Sequence, residues 1–300
     1  MIAASVWQRW LRGTRYLWHR PDWSAFLGPN WLERIMAAEV TDRFHAKQGR
    51  STGRLVLESS EHRLAVYLKR HYRLPWWRGL LAALWPGPGW SPAWQEYRHL
   101  EWARRHDLPV PAAVAVGEFV GPWGRLQSFL AVEELTGMLP LHEAIPAAAA
   151  ALSAEQFETW KRGFTAELAR LARGLHGRRW FHKDLYLCHF YVAAGDTQSL
   201  PDWPGRVHVI DLHRLGHHPW SWRIWQIKDL AQLLYSSEIE GVTARDRLRF
   251  WRAYLGREAH GFATAWLRRC VVFKYHRYLA HNQKRVLLPS PPYSGERDRG

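Results

Sequence analysis

Apolar positions recur at two different periods along the chain, and the change from one to the other divides it. Between Thr41 and His71 the runs are short: Leu55-Val56-Leu57, then Leu64-Ala65-Val66-Tyr67-Leu68-Lys69, with Ser59-Ser60-Glu61 between them. Such runs, bounded by polar residues and glycine, read as strands joined by tight turns. Val114-Ala115-Val116-Gly117-Glu118 and Gln127 to Glu133 repeat the signature, so this part predicts an antiparallel sheet. One helix interrupts it, opening at Pro92-Ala93-Trp94-Gln95-Glu96 with proline near its start and ending before Leu108-Pro109-Val110-Pro111. From Ser153 the period lengthens. Phe157, Trp160, Phe164, Leu168, Leu171 and Leu175 fall three and four apart, the single stripe of a buried helix face. Ser153 with Gln156 makes a capping box at its start. Helical spacing resumes at Leu230, Leu233 and Leu234 and continues through Leu248, Trp251 and Tyr254 to Val271 and Tyr278. The pattern predicts an α+β chain of two lobes, residues 41–135 and 136–286. Residues 1–40 form a basic, Trp-rich segment, and residues 287–300, rich in Pro, Ser, Gly and charge, read as a disordered tail.

Composition sharpens this in three respects. The chain has 300 residues and is 47% hydrophobic, enough to bury a core in two lobes around a cleft. Its 42 Lys and Arg against 27 acids give +15, which calls for an acidic partner: nucleic acid, an anionic membrane surface, or an acidic substrate or protein. No nucleic-acid recognition motif accompanies the charge. Twenty tryptophans, many beside Arg or Lys, suit a membrane interface as well as a Trp-rich core. Trp7, Trp10, Leu11, Leu17 and Trp18 stand near helical spacing among arginines, as in an interfacial helix. Leu74 to Trp90 is an apolar, aromatic insertion bracketed by Pro and Gly that either caps the cleft or touches lipid. Cys188 and Cys270 lack metal-ligand spacing and read as reduced thiols of a cytosolic protein. No run is long enough to span a membrane or to serve as a signal-peptide core.

The chemistry gathers between Trp180 and His213. In Trp180-Phe181-His182-Lys183-Asp184-Leu185-Tyr186-Leu187-Cys188-His189-Phe190, a carboxylate follows a histidine by two positions and a second imidazole follows the carboxylate by five. Val207-His208-Val209-Ile210 then ends in Asp211. This layout resembles a kinase catalytic loop followed by the metal-binding aspartate. In that reading Asp184 is the base and Asp211 holds Mg²⁺. His189 stands where most kinases carry a metal-binding asparagine, and it binds the metal, bonds a phosphate or orients Asp184. His182 braces the loop, and Asp229 anchors its backbone against the alternative of a simple acid at a helix start. Lys69, ending its strand, reaches the α- and β-phosphates. Glu96, or else Glu101, pairs with it. Gly49 and Gly53 belong to a turn over the phosphates, though they do not complete a Gly-x-Gly-x-x-Gly pattern. Glu133 and Leu135 fall where the chain crosses between lobes and offer backbone groups to adenine.

With these residues in place, the sequence resembles the lipopolysaccharide core kinases of the Kdo/WaaP group. The likeness rests on His182 to Phe190 with its Tyr-x-Cys-His-Phe string, on Val209-Ile210-Asp211-Leu212-His213-Arg214, and on Lys228-Asp229-Leu230 through Tyr235-Ser236-Ser237, and extends loosely from Lys69 to Tyr278. It implies a bilobal protein-kinase-like fold with a sheet-and-one-helix first lobe and a mainly helical second. The donor is ATP with Mg²⁺, and the acceptor a heptose or Kdo hydroxyl on a lipid-linked acidic saccharide. The implied location is peripheral, on the cytoplasmic face of the inner membrane. Lys183 replaces the more usual arginine. Two alternatives stand beside this reading. A serine/threonine protein kinase has little room, since only 18 positions separate Asp211 from Asp229. A non-catalytic kinase-like module binding acidic partners would have lost one of Lys69, Asp184 or Asp211, and all are present.

Overall fold

The computed structural model describes residues 6–23, 26, 30–38, 49–58, 63–85, 87–256 and 261–287. The Ser59-Ser60-Glu61 turn and the tail from residue 288 lie outside the described residues. Strand β2 (Arg50–Glu58) pairs antiparallel with β3 (Arg63–His71), setting Thr52 opposite Lys69 and Leu57 opposite Leu64. Alternation then decides the faces: Leu64, Val66 and Leu68 turn inward and are almost completely buried. β3 pairs with β5 (Leu126–Glu133), β5 with β4 (Ala113–Val120), and β4 with β1 (Thr14–His19). The order is β1-β4-β5-β3-β2, antiparallel throughout. One face is covered by Trp23, Trp31 and Ile35, the last two on α2 (Trp31–Ala37). Gly117 lets Phe129 lie flat on the sheet, because a Cβ there would stand 2.3 Å from the ring.

Strand β1 moves the expected boundary. Residue 41 does not begin the first lobe, because residues 14–19 already supply its edge strand. Nor do Leu17 and Trp18 share a helix with Trp7 and Trp10. Helix α1 (Val6–Arg12) stops at Gly13, whose φ of +77° favours glycine and whose missing Cβ avoids the Val120 carbonyl at 2.4 Å. Beyond it, Thr-Arg-Tyr-Leu-Trp-His fits period two, and β4 offers a free edge. The insertion after β3 forms α3 (Trp76–Leu84), so the lobe carries more than the one helix expected. That one, α4 (Pro92–Arg105), is capped by Ser91 accepting from the Trp94 amide, and lies across β4 and β5.

The second lobe is built on α5 (Leu141–Ala151), α6 (Ala154–Gly177), α7 (Trp222–Ser236), α8 (Ala244–Leu255) and α9 (Phe262–Leu287). The Ser153–Gln156 capping box forms as the sequence predicts, and Trp160, Phe164, Leu168, Leu171 and Leu175 all face inward. Two small sheets frame the cleft. β6 (Met138–Pro140), β8 (Phe190–Ala193) and β9 (His208–Val209) form one; β7 (Trp180–Phe181) and β10 (Gly216–His217) form the other. A single apolar core runs from Trp94 and Leu100 of α4 through α6 to Val271 of α9, tying α4 to the second lobe. The α+β, two-lobed architecture expected from the sequence is the one observed.

Candidate active site

Lys69 sits on a central strand, and its Nζ reaches across the cleft. It donates to Glu96 Oε1 at 2.6 Å and to Asp211 Oδ1 at 3.1 Å. Glu96 projects from α4 and is almost fully buried, whereas Glu101, one and a half turns on, pairs with Arg104 at 3.1 Å. Burial pulls the Lys69 pKa down, but the two carboxylates outweigh it and leave it raised. Asp211 follows β9 with φ +61°, a left-handed conformation that aims its carboxylate back at Lys69. Burial opposes its charge, yet His213 Nδ1 at 2.8 Å and Lys69 hold the carboxyl well below the usual carboxylate range. Both contacts fall on Oδ1, and Oδ2 has no partner among the described residues.

The catalytic loop hangs from one face of α7. Asp229, completely buried in mid-helix rather than at a helix start, accepts the backbone N–H groups of His182 and Lys183, both at 2.8 Å. Gln232 Oε1 accepts from the Leu185 amide at 3.1 Å, and Ser236 Oγ from the Leu187 amide at 2.9 Å. Residues spaced three and four apart share a helix face, so α7 holds four amides of the loop, those of 182, 183, 185 and 187. Two imidazoles then link this loop to the Asp211 strand. His182, fully buried and pulled down in pKa by that burial, donates from Nε2 to the Ile210 carbonyl at 3.0 Å. His189 Nδ1 donates to the Asp184 carbonyl at 2.7 Å while its own carbonyl accepts from Ile210 N at 3.0 Å. Burial lowers the His189 pKa, but the Cys188 thiol and the Asp184 carbonyl together leave it raised.

The Asp184 carboxylate is held by Arg214, whose Nη1 reaches its two oxygens at 2.8 and 3.1 Å. Gln232 Nε2 lies at 3.4 Å and Lys228 Nζ at 4.0 Å. The sequence marks Arg214 and the histidines near Asp211 only as groups to meet acidic sugars. That Arg214, Gln232 and Lys228 surround Asp184, that His213 holds Asp211 and that Ser236 holds the loop was missed, although Gln232 and Ser236 stand at helical spacing from Asp229.

Other expected positions fall differently. Gly53 is not in a turn: β2 begins at Arg50, so Gly53 pairs within the strand opposite Leu68. The ladder to β3 continues through it, and Arg54 next door is fixed by Glu134 at 2.8 Å. Gly49 precedes the strand at φ +76°, its carbonyl accepting from Tyr72 N; residues 39–48 before it lie outside the described residues. The Glu133 amide donates to Ala112 at 2.9 Å, so it is no adenine donor, and its side chain takes Arg20 at 2.8 Å. The Leu135 carbonyl accepts from Met138 N at 3.3 Å in the turn between the lobes.

Among the described residues no group of three or more His, Cys, Asp or Glu is placed to hold a metal. A magnesium ion on a triphosphate needs fewer protein ligands, because water and phosphate oxygens complete its shell. The partnerless Oδ2 of Asp211 is a hard oxygen that fits it. The His189 ring, whose Nδ1 donates to the Asp184 carbonyl, fits less well, because an imidazole nitrogen is a poor ligand for so hard a cation.

An ammonium pinned by a helix glutamate, facing two aspartates on separate loops, is the arrangement by which protein-kinase-like phosphotransferases handle a triphosphate. Comparison with known proteins narrows the class. The model of the lipopolysaccharide kinase (Kdo/WaaP) family matches residues 38–254, and the chain belongs to that family. It is 31% identical over 218 residues to the lipopolysaccharide core heptose(I) kinase WaaP of Pseudomonas aeruginosa, covering 68% of this chain and 75% of that one. A WaaP of the same description from Escherichia coli is 30% identical over 198 residues, 62% of this chain and 70% of its own. Among solved structures, WaaP in complex with acyl carrier protein superposes with a TM-score of 0.61 at 27% identity, covering 87% of this chain and 99% of that one. The chain is therefore a phosphotransferase of lipopolysaccharide biosynthesis, in a family whose donor is ATP.

Proposed function

We propose that this chain transfers the γ-phosphoryl group of ATP to a hydroxyl of an inner-core heptose, the activity for which its WaaP relatives are named. The observation that carries this reading is the Lys69–Glu96–Asp211 set, already engaged at 2.6 and 3.1 Å, with the Asp184 loop cross-linked to it through His182 and His189. Lys69 neutralises the α- and β-phosphates. Asp211, through Oδ2, would hold Mg²⁺, which supplies charge neutralisation between the phosphates. Asp184 accepts a hydrogen bond from the acceptor hydroxyl and receives its proton as the new O–P bond forms and the bond to the ADP oxygen breaks. Arg214 orients that carboxylate. His182, His189 and Asp229 hold the loop; they touch neither reactant.

The protein works at a membrane surface. Among the described residues no helix is long and apolar enough to cross a membrane. Three segments distant in sequence instead build one aromatic face. Trp7 of α1, Trp76 of α3 and Trp123 in the β4–β5 turn are 73%, 72% and 69% exposed. Buried Arg9 donates to the Ala83 carbonyl and joins α1 to α3. Gly79 lets α3 touch the β4–β5 turn, since a Cβ would lie 1.8 Å from the Gly124 carbonyl. No Asp or Glu occurs in 6–21, 72–95 or 119–132, while Arg12, Arg15, Arg78 and Arg125 do. Tryptophan among arginines suits an anionic headgroup layer. The +15 charge also suits an acidic protein, and the solved relative's complex makes an acyl carrier protein the partner of choice.

The test is γ-labelled ATP offered with heptose-containing core, Kdo-lipid and a generic protein substrate. Label is expected in the heptose core alone. Equal labelling of the protein substrate would point to a protein kinase instead.

A further inference from the structure

Lys183 stands immediately before the Asp184 base, yet its ammonium is not part of the network around Asp211. With φ +68° the residue turns its side chain toward β10 and α7. There Nζ lies 5.1 Å from the centre of the Trp225 indole and makes no ion pair among the described residues. Lys228 Nζ lies over the same ring at 5.5 Å, fixed by the Lys183 carbonyl at 2.5 Å. His218 stacks on that indole at 4.8 Å, and its Nε2 is buried without a partner. Both nitrogens pack against the backbone of Gly216: a Cβ there would stand 2.6 Å from Lys183 Nζ and 3.0 Å from His218 Nε2. Only glycine at 216 lets the ammonium and the imidazole come this close to one another.

Charge in this corner does not balance. Lys183, Lys228 and Arg214 converge, but of the two nearby carboxylates Asp229 is committed to backbone amides, and Asp184 is left for all three. Like charges crowded on one indole repel, and an incoming anion relieves the repulsion. Burial first, then Arg214, already lower the pKa values of both lysines.

We propose that Lys183 and His218, backed by Lys228 over Trp225, form a subsite for an acidic group of the acceptor saccharide. The group is a carboxylate or phosphate on the sugar bearing the reacting hydroxyl or on its neighbour. This rests on the sugar-kinase reading above, because it places the acid one residue from the base. The lysine that departs from the more usual arginine thereby serves substrate selection.

The experiment uses the whole protein and three acceptors: intact core, core with its carboxyl groups reduced to alcohols, and phosphatase-treated core. One of the two modifications is expected to raise the wild-type acceptor KM about tenfold, as the loss of one charge-assisted hydrogen bond does, and which one it is identifies the acid. Lys183→Met raises the acceptor KM on intact core by a similar factor, with kcat and the ATP KM little changed, and has no further effect on the modified core. Lys183→Arg recovers the wild-type value. Equal penalties on intact and modified acceptors would mean a structural role only, and a shift in the ATP KM would assign the cations to the donor; either overturns the proposal. Equilibrium binding of the acceptors without ATP reads the same difference. If no heptose acceptor is phosphorylated, that counts against the sugar-kinase reading, and the binding arm alone decides the subsite.

Discussion

The two ends of the cleft carry opposite imbalances. At the nucleotide end one ammonium, Lys69, stands between two carboxylates, Glu96 and Asp211. At the acceptor end one available carboxylate, Asp184, faces Arg214 and Lys228, with Lys183 alongside. Each end is short of the charge that its proposed ligand brings: a divalent cation with the triphosphate at the first, an acidic sugar at the second. The contrast also explains why bulk charge, +15, is a poor guide to function: the distribution over a few ångströms decides what binds.

The contrast can be broken at either end. The largest effect is expected from Asp184→Asn, which removes the base but not the fold: phosphoryl transfer should fall by about 10²–10⁴-fold, with ATP affinity by calorimetry preserved. Unchanged turnover would take Asp184 out of the reaction. Lys69→Met should lower kcat/KM for ATP by about 10²–10³-fold while the acceptor KM stays in place; a shift in the acceptor KM would mean the two ends are not separate. Asp229→Ala orphans two buried amides at about 1–3 kcal/mol each, seen as a lower melting temperature and a loss of transfer together. A double Trp7→Ala, Trp123→Ala variant should sediment less with anionic vesicles and keep its activity on a detergent-solubilised acceptor. Equal sedimentation would dismiss the aromatic face.

The mildest expectation concerns pH and has opposite signs at the two ends. Lys183 and Lys228 have lowered pKa values, so on alkalinisation they lose charge before a free lysine, near ~10.4, would. The acceptor KM should therefore rise at a pH below that value, with the ATP KM constant. Asp211 is depressed, so its favourable contribution is fully present above the free-aspartate pKa of about 3.9 and is lost only at still lower pH. ATP binding should survive acidification to that point. A steep loss of nucleotide affinity at a clearly higher pH would contradict it.

Much of this was readable in the chain because the relevant signals are local. Strand alternation around Lys69 and the capping box at Ser153 depend on neighbouring residues, and structure and sequence agree there; the order His182, Asp184, Asp211 is equally local. What the sequence hid depends on partners far away. Leu17 and Trp18 look helical until β4 supplies an edge that makes them a strand. Gly53 looks like a turn until β3 pairs through it. Glu96 is favoured over Glu101 on paper, but only the position of α4 against β3 separates them. The acceptor-side cluster was least visible, since Lys183, Gly216, His218 and Lys228 meet only after β10 folds back on β7.

The way α7 grips the loop has a consequence for how this enzyme can change over evolutionary time. Asp229, Gln232 and Ser236 hold main-chain amides and are therefore indifferent to which side chains those residues carry. A new side chain can be tried at 183 while the ruler beneath it stays as it is, whereas Leu185 and Leu187 are fixed by their burial in the core. A descendant can thus retune which saccharide it accepts by exchanging a single residue, with the reacting geometry inherited intact.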